Sequence, residues 1–75
     1  MSLRPYEGEW VLLTNTDGQT YKGYASDYIF PEDNYPEEVE GIILNKPIRG
    51  DGYVYNRSVE FAAPEIRSIE IVERS

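Results

Sequence analysis

The feature that most constrains the fold is a pair of β-prone segments joined by Asp17-Gly18 and followed by an isolated glycine, Gly23. Asp-Gly between two such segments is the strongest short-range signal for a β-hairpin, because a two-residue turn requires positive φ at both central positions. Gly23 lies where a strand normally has a side chain, which indicates a sharp bend or a close approach of backbone. The pattern therefore predicts a small barrel of strongly bent strands.

The rest of the chain predicts an all-β fold, a small five-stranded antiparallel barrel with a short N-terminal helical turn around Pro5. Turn residues separate the β-prone segments, and a further turn is expected at Asp51-Gly52, within a connection over residues 46–52. We expect one domain over residues 1–75. The predicted strands cover residues 9–15, 19–30, 38–45, 53–62 and 65–72.

Strand alternation predicts which side chains share a face. Val11 and Leu13 lie on one side of the first strand, and Trp10 lies on the other. Because both sides are apolar, this strand is expected to be covered twice, on the outside by the N-terminal turn or by a neighbouring subunit. Tyr24, Tyr28 and Phe30 are predicted to share one face of the second strand, and Val39 and Ile43 one face of the third.

Composition limits the functions open to this chain. It has no cysteine and no histidine, which excludes disulfides and zinc sites built from the usual ligands. Its serines lack the local context of an activated nucleophile, so we expect no enzyme, no catalytic residues, no metal site and no cofactor. No apolar run is long enough for a membrane span or a secretory signal, so a soluble, cytoplasmic protein is expected.

Charge and aromatic content each allow two interpretations. With 14 acidic and 7 basic residues the formal charge is −7, which disfavours nucleic acid as a partner. The acidic run over residues 32–40 is either a solvated loop or a docking surface for a basic partner, and its spacing is not that of a calcium loop. Packing at the barrel rim or at an interface explains the tyrosines better than a base-stacking platform does. These tyrosines are Tyr24, Tyr28, Tyr35, Tyr53 and Tyr55.

The order of motifs resembles the Sm-like (LSM) domain family, in particular its small bacterial members. The resemblance rests on residues 11–13 before Asp17-Gly18, on the bend glycine Gly23, and on residues 59–61 leading into residues 66–71. It implies a bent five-stranded barrel that closes into homo-oligomeric rings, with the fourth strand of one subunit pairing with the fifth strand of the next. The interface candidates on these strands are Val59, Phe61, Ile69 and Ile71.

Many proteins of this family bind single-stranded RNA through the loops after the second and fourth strands, but two departures disfavour that function here. Ile29 stands where RNA-binding members have an aspartate, and residues 62–64 replace the usual Arg-Gly. The candidates that remain for RNA contact are Tyr28, Asn34 and Arg57. The leading interpretation is a ring-forming interaction scaffold whose protein partner is unknown. The alternatives are an RNA-binding Sm-like protein and a monomeric SH3-like interaction module.

Overall fold

The β-hairpin predicted at Asp17-Gly18 is present in the computed structural model, which describes residues 2–74. It joins β1 (Trp10–Asn15) to β2 (Thr20–Ile29) in an antiparallel pair. The turn itself differs from the prediction, because only Gly18 has positive φ, at 85°. Its amide donates to the carbonyl of Asn15 at 3.0 Å, and the amide of Asn15 donates to the carbonyl of Gln19 at 2.9 Å. The connection is therefore the three-residue type, in which a tight turn is followed by a left-handed glycine.

Gly23 lies at a close approach of backbone to backbone, one of the two features that its position in the sequence predicts. A Cβ atom on Gly23 would lie 3.2 Å from the Cα of Pro47 in β3 (Gly41–Arg49). The β2–β3 register shifts at this point, and Lys46 has a φ of 48°. A β-bulge of this kind bends its strand and increases its twist.

The third strand is longer than predicted. We expected it to end at Asn45 with a connection over residues 46–52, but β3 continues through Pro47 to Arg49. Proline has no amide hydrogen, and the bulge is the position in a ladder where that loss is tolerated. The fourth strand is correspondingly shorter than predicted. Residues 53–57 form a loop before it, and in this loop an isolated β-bridge joins Val54 to Ile48.

The chain forms five antiparallel strands, as the sequence predicts, and they lie in one sheet in the order β4-β3-β2-β1-β5. Three-residue 3-10 turns precede β1, follow β2 and join the last two strands. The N-terminal turn includes Pro5, as expected. The remaining strands are β4 (Ser58–Ala62) and β5 (Ile66–Ile71).

The core lies on the inner face of the bent sheet and includes Val11 and Leu13, as alternation predicts. On β3 the residues that reach it are Ile42 and Leu44, whereas Ile43 is half-buried. Leu3, just before the N-terminal turn, is fully buried and was not expected in the core. The buried apolar residues are Leu3, Val11, Leu13, Ala25, Ile42, Leu44, Phe61 and Ile66.

A second bulge corrects one prediction of alternation. Ala25 pairs with Leu44, but Asp27 pairs with Ile43, so one extra residue is accommodated in β2. Tyr28 is consequently opposite Ile42 and packs against the core. Tyr24 lies on the outer face. These two tyrosines therefore lie on opposite sides of the sheet, whereas strict alternation predicts that they share one side.

Candidate functional site

The two edges of the sheet are the first candidate surface. β4 and β5 lie at opposite ends of the strand order, and no ladder joins them within residues 2–74. The amide of Lys46 donates to the carbonyl of Arg57, and the amide of Ala63 donates to the carbonyl of Glu40. Because hydrogen-bonded and non-bonded pairs alternate in an antiparallel ladder, the backbone of Glu60 is directed away from β3, to the free edge.

The edge formed by β5 can be oriented in the same way. The amide of Val72 donates to the carbonyl of Trp10 at 2.8 Å, which makes these two residues a bonded pair of the β1–β5 ladder. The backbone groups of Ile69 and Ile71 therefore point outward. Each edge thus presents backbone donors and acceptors to a further strand, although on β4 the amide of Ala62 already donates to Glu65 and the carbonyl of Ser58 accepts from Arg57.

The four predicted interface residues occupy these edges with different exposures. Val59 and Ile69 are half-buried and pack against the core from the edge strands, and Ile71 is 54% exposed. Phe61 is only 5% exposed, and its ring lies 4.9 Å from that of Tyr21 in the same subunit. Its side chain belongs to the core of its own chain, and its backbone is directed to Ile42 of β3, so Phe61 itself offers nothing to another strand.

The RNA-contact candidates fall into two separate groups. Tyr28 and Asn34 both belong to the region around the β2–β3 connection, whereas Arg57 precedes β4, next to Lys46 near the other end of β3. The side chain of Asn34 donates to the carbonyl of Val39 at 3.0 Å. The structure therefore does not bring all three candidates together within one chain.

The β2–β3 connection is tied to the N-terminal turn through Glu40, a role that sequence reasoning missed. Its Oε1 accepts from the amide of Leu3 at 2.8 Å, and its Oε2 accepts from the hydroxyl of Tyr28 at 2.7 Å. This hydrogen bond is the main reason that the pKa of Tyr28 is raised above its usual value, and partial burial adds to it. The guanidinium of Arg4 lies 4.7 Å from the ring centre of Phe30 and covers the same region.

At the other end of β3, aromatic and basic side chains gather around Arg49. Its guanidinium donates to both carboxylate oxygens of Asp51, at 3.0 and 2.9 Å, and to the hydroxyl of Tyr55 at 3.2 Å. It also lies 4.9 Å from the ring centre of Tyr53. We call this region, formed by Lys46, Arg49, Tyr53, Tyr55 and Arg57, the aromatic–basic end.

The hydrogen bonds of this region have electrostatic consequences. Those from Arg49, and then one from the amide of Tyr53, hold the pKa of Asp51 below its usual value. The hydrogen bonds of Arg49 to Asp51, and then to Tyr55, raise the pKa of Arg49, so the guanidinium stays charged. Burial raises the pKa of Tyr21, and the nearby Tyr55 adds to that shift. The turn thus holds a partly exposed ion pair next to tyrosine rings.

The tyrosines do not form one platform. Tyr53 and Tyr55 meet edge to face at 4.8 Å, whereas Tyr24 packs beside Trp10 on the outer face of the sheet. Tyr28 contacts Phe30, and Tyr35 is 80% exposed in the acidic connection. Packing in separate pairs explains most of these rings.

Comparison with solved structures identifies the fold of this chain. No family model matches the chain, and no curated protein does. Among solved structures, a novel Sm-like archaeal protein from Pyrobaculum aerophilum aligns over 96% of this chain with a TM-score of 0.72 and 22% identity. The chain has an Sm-like fold. The aligned region makes up 49% of that protein, so this chain spans about half its length.

This likeness confirms the resemblance to Sm-like proteins at the level of the fold, although the similar structure is archaeal and the bacterial part of the prediction stays a prediction. Within residues 2–74, no three acidic, histidine or cysteine side chains cluster in a way that could hold a metal ion. The described part of the chain also has no helix with the length and apolarity to cross a membrane.

Proposed function

We propose that this chain is a non-catalytic, single-domain Sm-like subunit that assembles head to tail into a closed ring and acts as a cytoplasmic interaction scaffold. The observation that carries the proposal is the pair of open edges, β4 and β5, at opposite ends of one bent sheet. Exposed edges promote aggregation unless they are covered or paired. If the β4 edge of each subunit pairs with the β5 edge of the next and the ring closes, no edge stays free.

The side chains along the edges support the same arrangement. Ile71 is exposed beside the half-buried Ile69 on β5, and Val59 is half-buried on β4. Pairing of β4 with β5 of a neighbour would cover these apolar surfaces as it satisfies the backbone. A chain of 75 residues without cysteine is also of the size that gains stability from association.

The assembly is tested by solution mass and by one proline. Light scattering should give a wild-type mass that is a fixed multiple of 8.7 kDa. Glu60→Pro removes an outward amide without breaking a bond to β3, so we expect a folded monomer. The control Glu60→Thr keeps the amide and should keep the ring. A wild-type protein that stays monomeric would contradict the proposal and favour the monomeric SH3-like alternative.

The scaffold interpretation also predicts that single-stranded RNA is not a ligand. The polar groups of Tyr28 and Asn34 are already engaged within the chain, and the adjacent acidic run repels phosphate. We expect no complex with uridine- or adenine-rich oligonucleotides in fluorescence anisotropy at micromolar protein and about 0.15 M salt. Submicromolar, salt-sensitive binding that is lost in Asn34→Ala or Arg57→Ala would instead favour the RNA-binding alternative.

A further inference from the structure

Charge is divided between the two ends of β3. Residues 30–40, which precede this strand, include five acidic residues and no basic one, whereas residues 46–57 include three basic residues and one acidic. A strand of nine residues lies between the acidic connection and the turn that follows Arg49. At about 3.3 Å per residue, Lys46 lies about 20 Å from Glu40, which is about two Debye lengths at physiological salt. The molecule is therefore electrostatically polar, although its formal net charge is −7.

Tyr35 is the more exposed of two exposed aromatic side chains in the acidic connection, and Phe30 is 39% exposed. Tyr35 is 80% exposed, and the acidic side chains on both sides of it are exposed as well. Large aromatic rings that project from a loop are frequent anchors in protein interfaces, because they bring a large contact area at small cost in side-chain entropy. The exposed acidic neighbours of Tyr35 are Glu32, Asp33, Glu37 and Glu38.

The aromatic–basic end has the complementary properties. Tyr53 and Val54 are more than half exposed, at 54% and 59%, and they form an apolar surface next to cations. Asp51 neutralises Arg49, whereas Lys46 and Arg57 are exposed and form no ion pair within residues 2–74. The guanidinium of Arg57 lies 5.5 Å from the ring centre of Tyr55, so one of its faces is placed near an aromatic ring.

We propose that the aromatic–basic end is a docking site for the acidic connection, residues 30–40, of a second copy of this chain. Tyr35 of one copy contacts Tyr53 and Arg57 of the other, where a cation–π contact is available. The acidic residues around Tyr35 then approach Lys46 and Arg57. The choice of a second copy rests on charge complementarity, since the chain itself contains both matching surfaces.

This contact is independent of ring closure. It uses side chains of residues 30–40 and of the aromatic–basic end, whereas the proposed ring uses the backbone edges of β4 and β5. Because the contact joins two different surfaces, it propagates head to tail and stacks one assembly on the next. Its loss would leave the ring intact, and loss of the ring would leave this contact intact.

Sedimentation velocity over a range of protein concentrations tests the proposal on the full chain. Wild type should show association beyond its basal mass at 0.05 M salt and lose it at about 0.5 M salt, where charges are screened. Tyr35→Ala should weaken this association about fivefold through loss of an aromatic contact. Repeating the series in Glu60→Pro separates the two contacts, because the salt-dependent association should persist when ring closure is absent.

Paired charge reversals make the test specific. One protein carries Glu37→Lys with Glu38→Lys, and the other carries Lys46→Glu with Arg57→Glu. Neither protein should associate alone. An equimolar mixture of the two should associate, because each retains one native surface. The control Glu7→Lys with Glu9→Lys, at two exposed positions outside both proposed contacts, changes the net charge as the first pair does and should associate as wild type does. Association that survives both reversals, or that is absent from wild type, would overturn the inference. So would submicromolar binding of a single-stranded oligonucleotide to the aromatic–basic end in place of the second copy.

Discussion

At the scale of single residues, the charged turn after β3 has a defined dependence on pH. Asp51 accepts from Arg49 and from the amide of Tyr53, and these bonds lower the pKa of its carboxyl. A carboxyl whose pKa is lowered by folding stabilises the native state above its unfolded pKa, about 3.9. That stabilisation is lost as pH falls through the lower, folded value.

We therefore expect wild type to exceed Asp51→Asn in free energy of unfolding at pH 7. The difference should shrink as acid protonates Asp51, below about pH 4. Urea unfolding of both proteins between pH 7 and pH 2.5 measures it. A difference that does not change with pH would show that the ion pair is not the origin of the stabilisation.

Asn15 is a second residue whose role is local. Its Oδ1 accepts from the amides of Asp17 and Gln19, at 3.0 and 2.9 Å, and so fixes the connection between β1 and β2. Asn15→Ala should lower the free energy of unfolding by about 1 kcal/mol, because both amides lose their acceptor. The loss is limited because the exposed amide of Asp17 can bond to water instead. Asn15→Asp keeps the acceptor and should stay near wild type, as should the exposed Thr16→Ala. Thermal unfolding of the four proteins compares them directly.

At the scale of elements, the pairing of β2 with β3 depends on the close contact between Gly23 and Pro47. A Cβ on Gly23 would lie 3.2 Å from the Cα and 3.3 Å from the Cβ of Pro47, which is backbone and ring that cannot rotate away. Gly23→Ala should cost about 1–3 kcal/mol, and the branched side chain in Gly23→Val should cost more or prevent folding. The control is Lys22→Val on the outer face of the same strand. Unchanged stability of Gly23→Val would show that β2 and β3 can separate here without cost.

At the scale of the whole molecule, the N-terminal turn completes the core. Leu3 is fully buried, and its amide donates to Glu40, which precedes β3. Leu3→Ala should lower the free energy of unfolding by about 2–5 kcal/mol, because it leaves a cavity in a small core. The exposed Glu7→Ala is the matched control. A loss below about 1 kcal/mol in chemical denaturation would mean that the N-terminal turn contributes little to the fold.

Ring formation and the docking of residues 30–40 onto the aromatic–basic end are also properties of the whole molecule. The two contacts use different kinds of surface and respond differently to salt. The first uses apolar edges and backbone groups, whose contribution changes little with salt. The second uses exposed charges, which salt screens. A salt series of solution masses should therefore show loss of the higher association before any loss of the ring.

The sequence by itself determined the elements that depend on neighbours along the chain. Asp17-Gly18 predicts the hairpin, Gly23 predicts the bend, and alternation places Val11 and Leu13 in the core, because turn chemistry and strand alternation are short-range effects. The five-strand pattern and the Sm-like resemblance follow from the same signals. These predictions are confirmed at the level of the fold.

Only the tertiary structure decided the features that depend on residues far apart. Glu40 bonds to Leu3 across 37 positions, and this distant partner ties the start of the N-terminal turn to the β2–β3 connection. The β2–β3 bulges extend β3 through Pro47 and turn Tyr28 to the core side, since each extra residue reverses the faces that follow it. Alternation cannot locate such an insertion, because a bulge is set by how two strands pair and not by the residues of either strand alone.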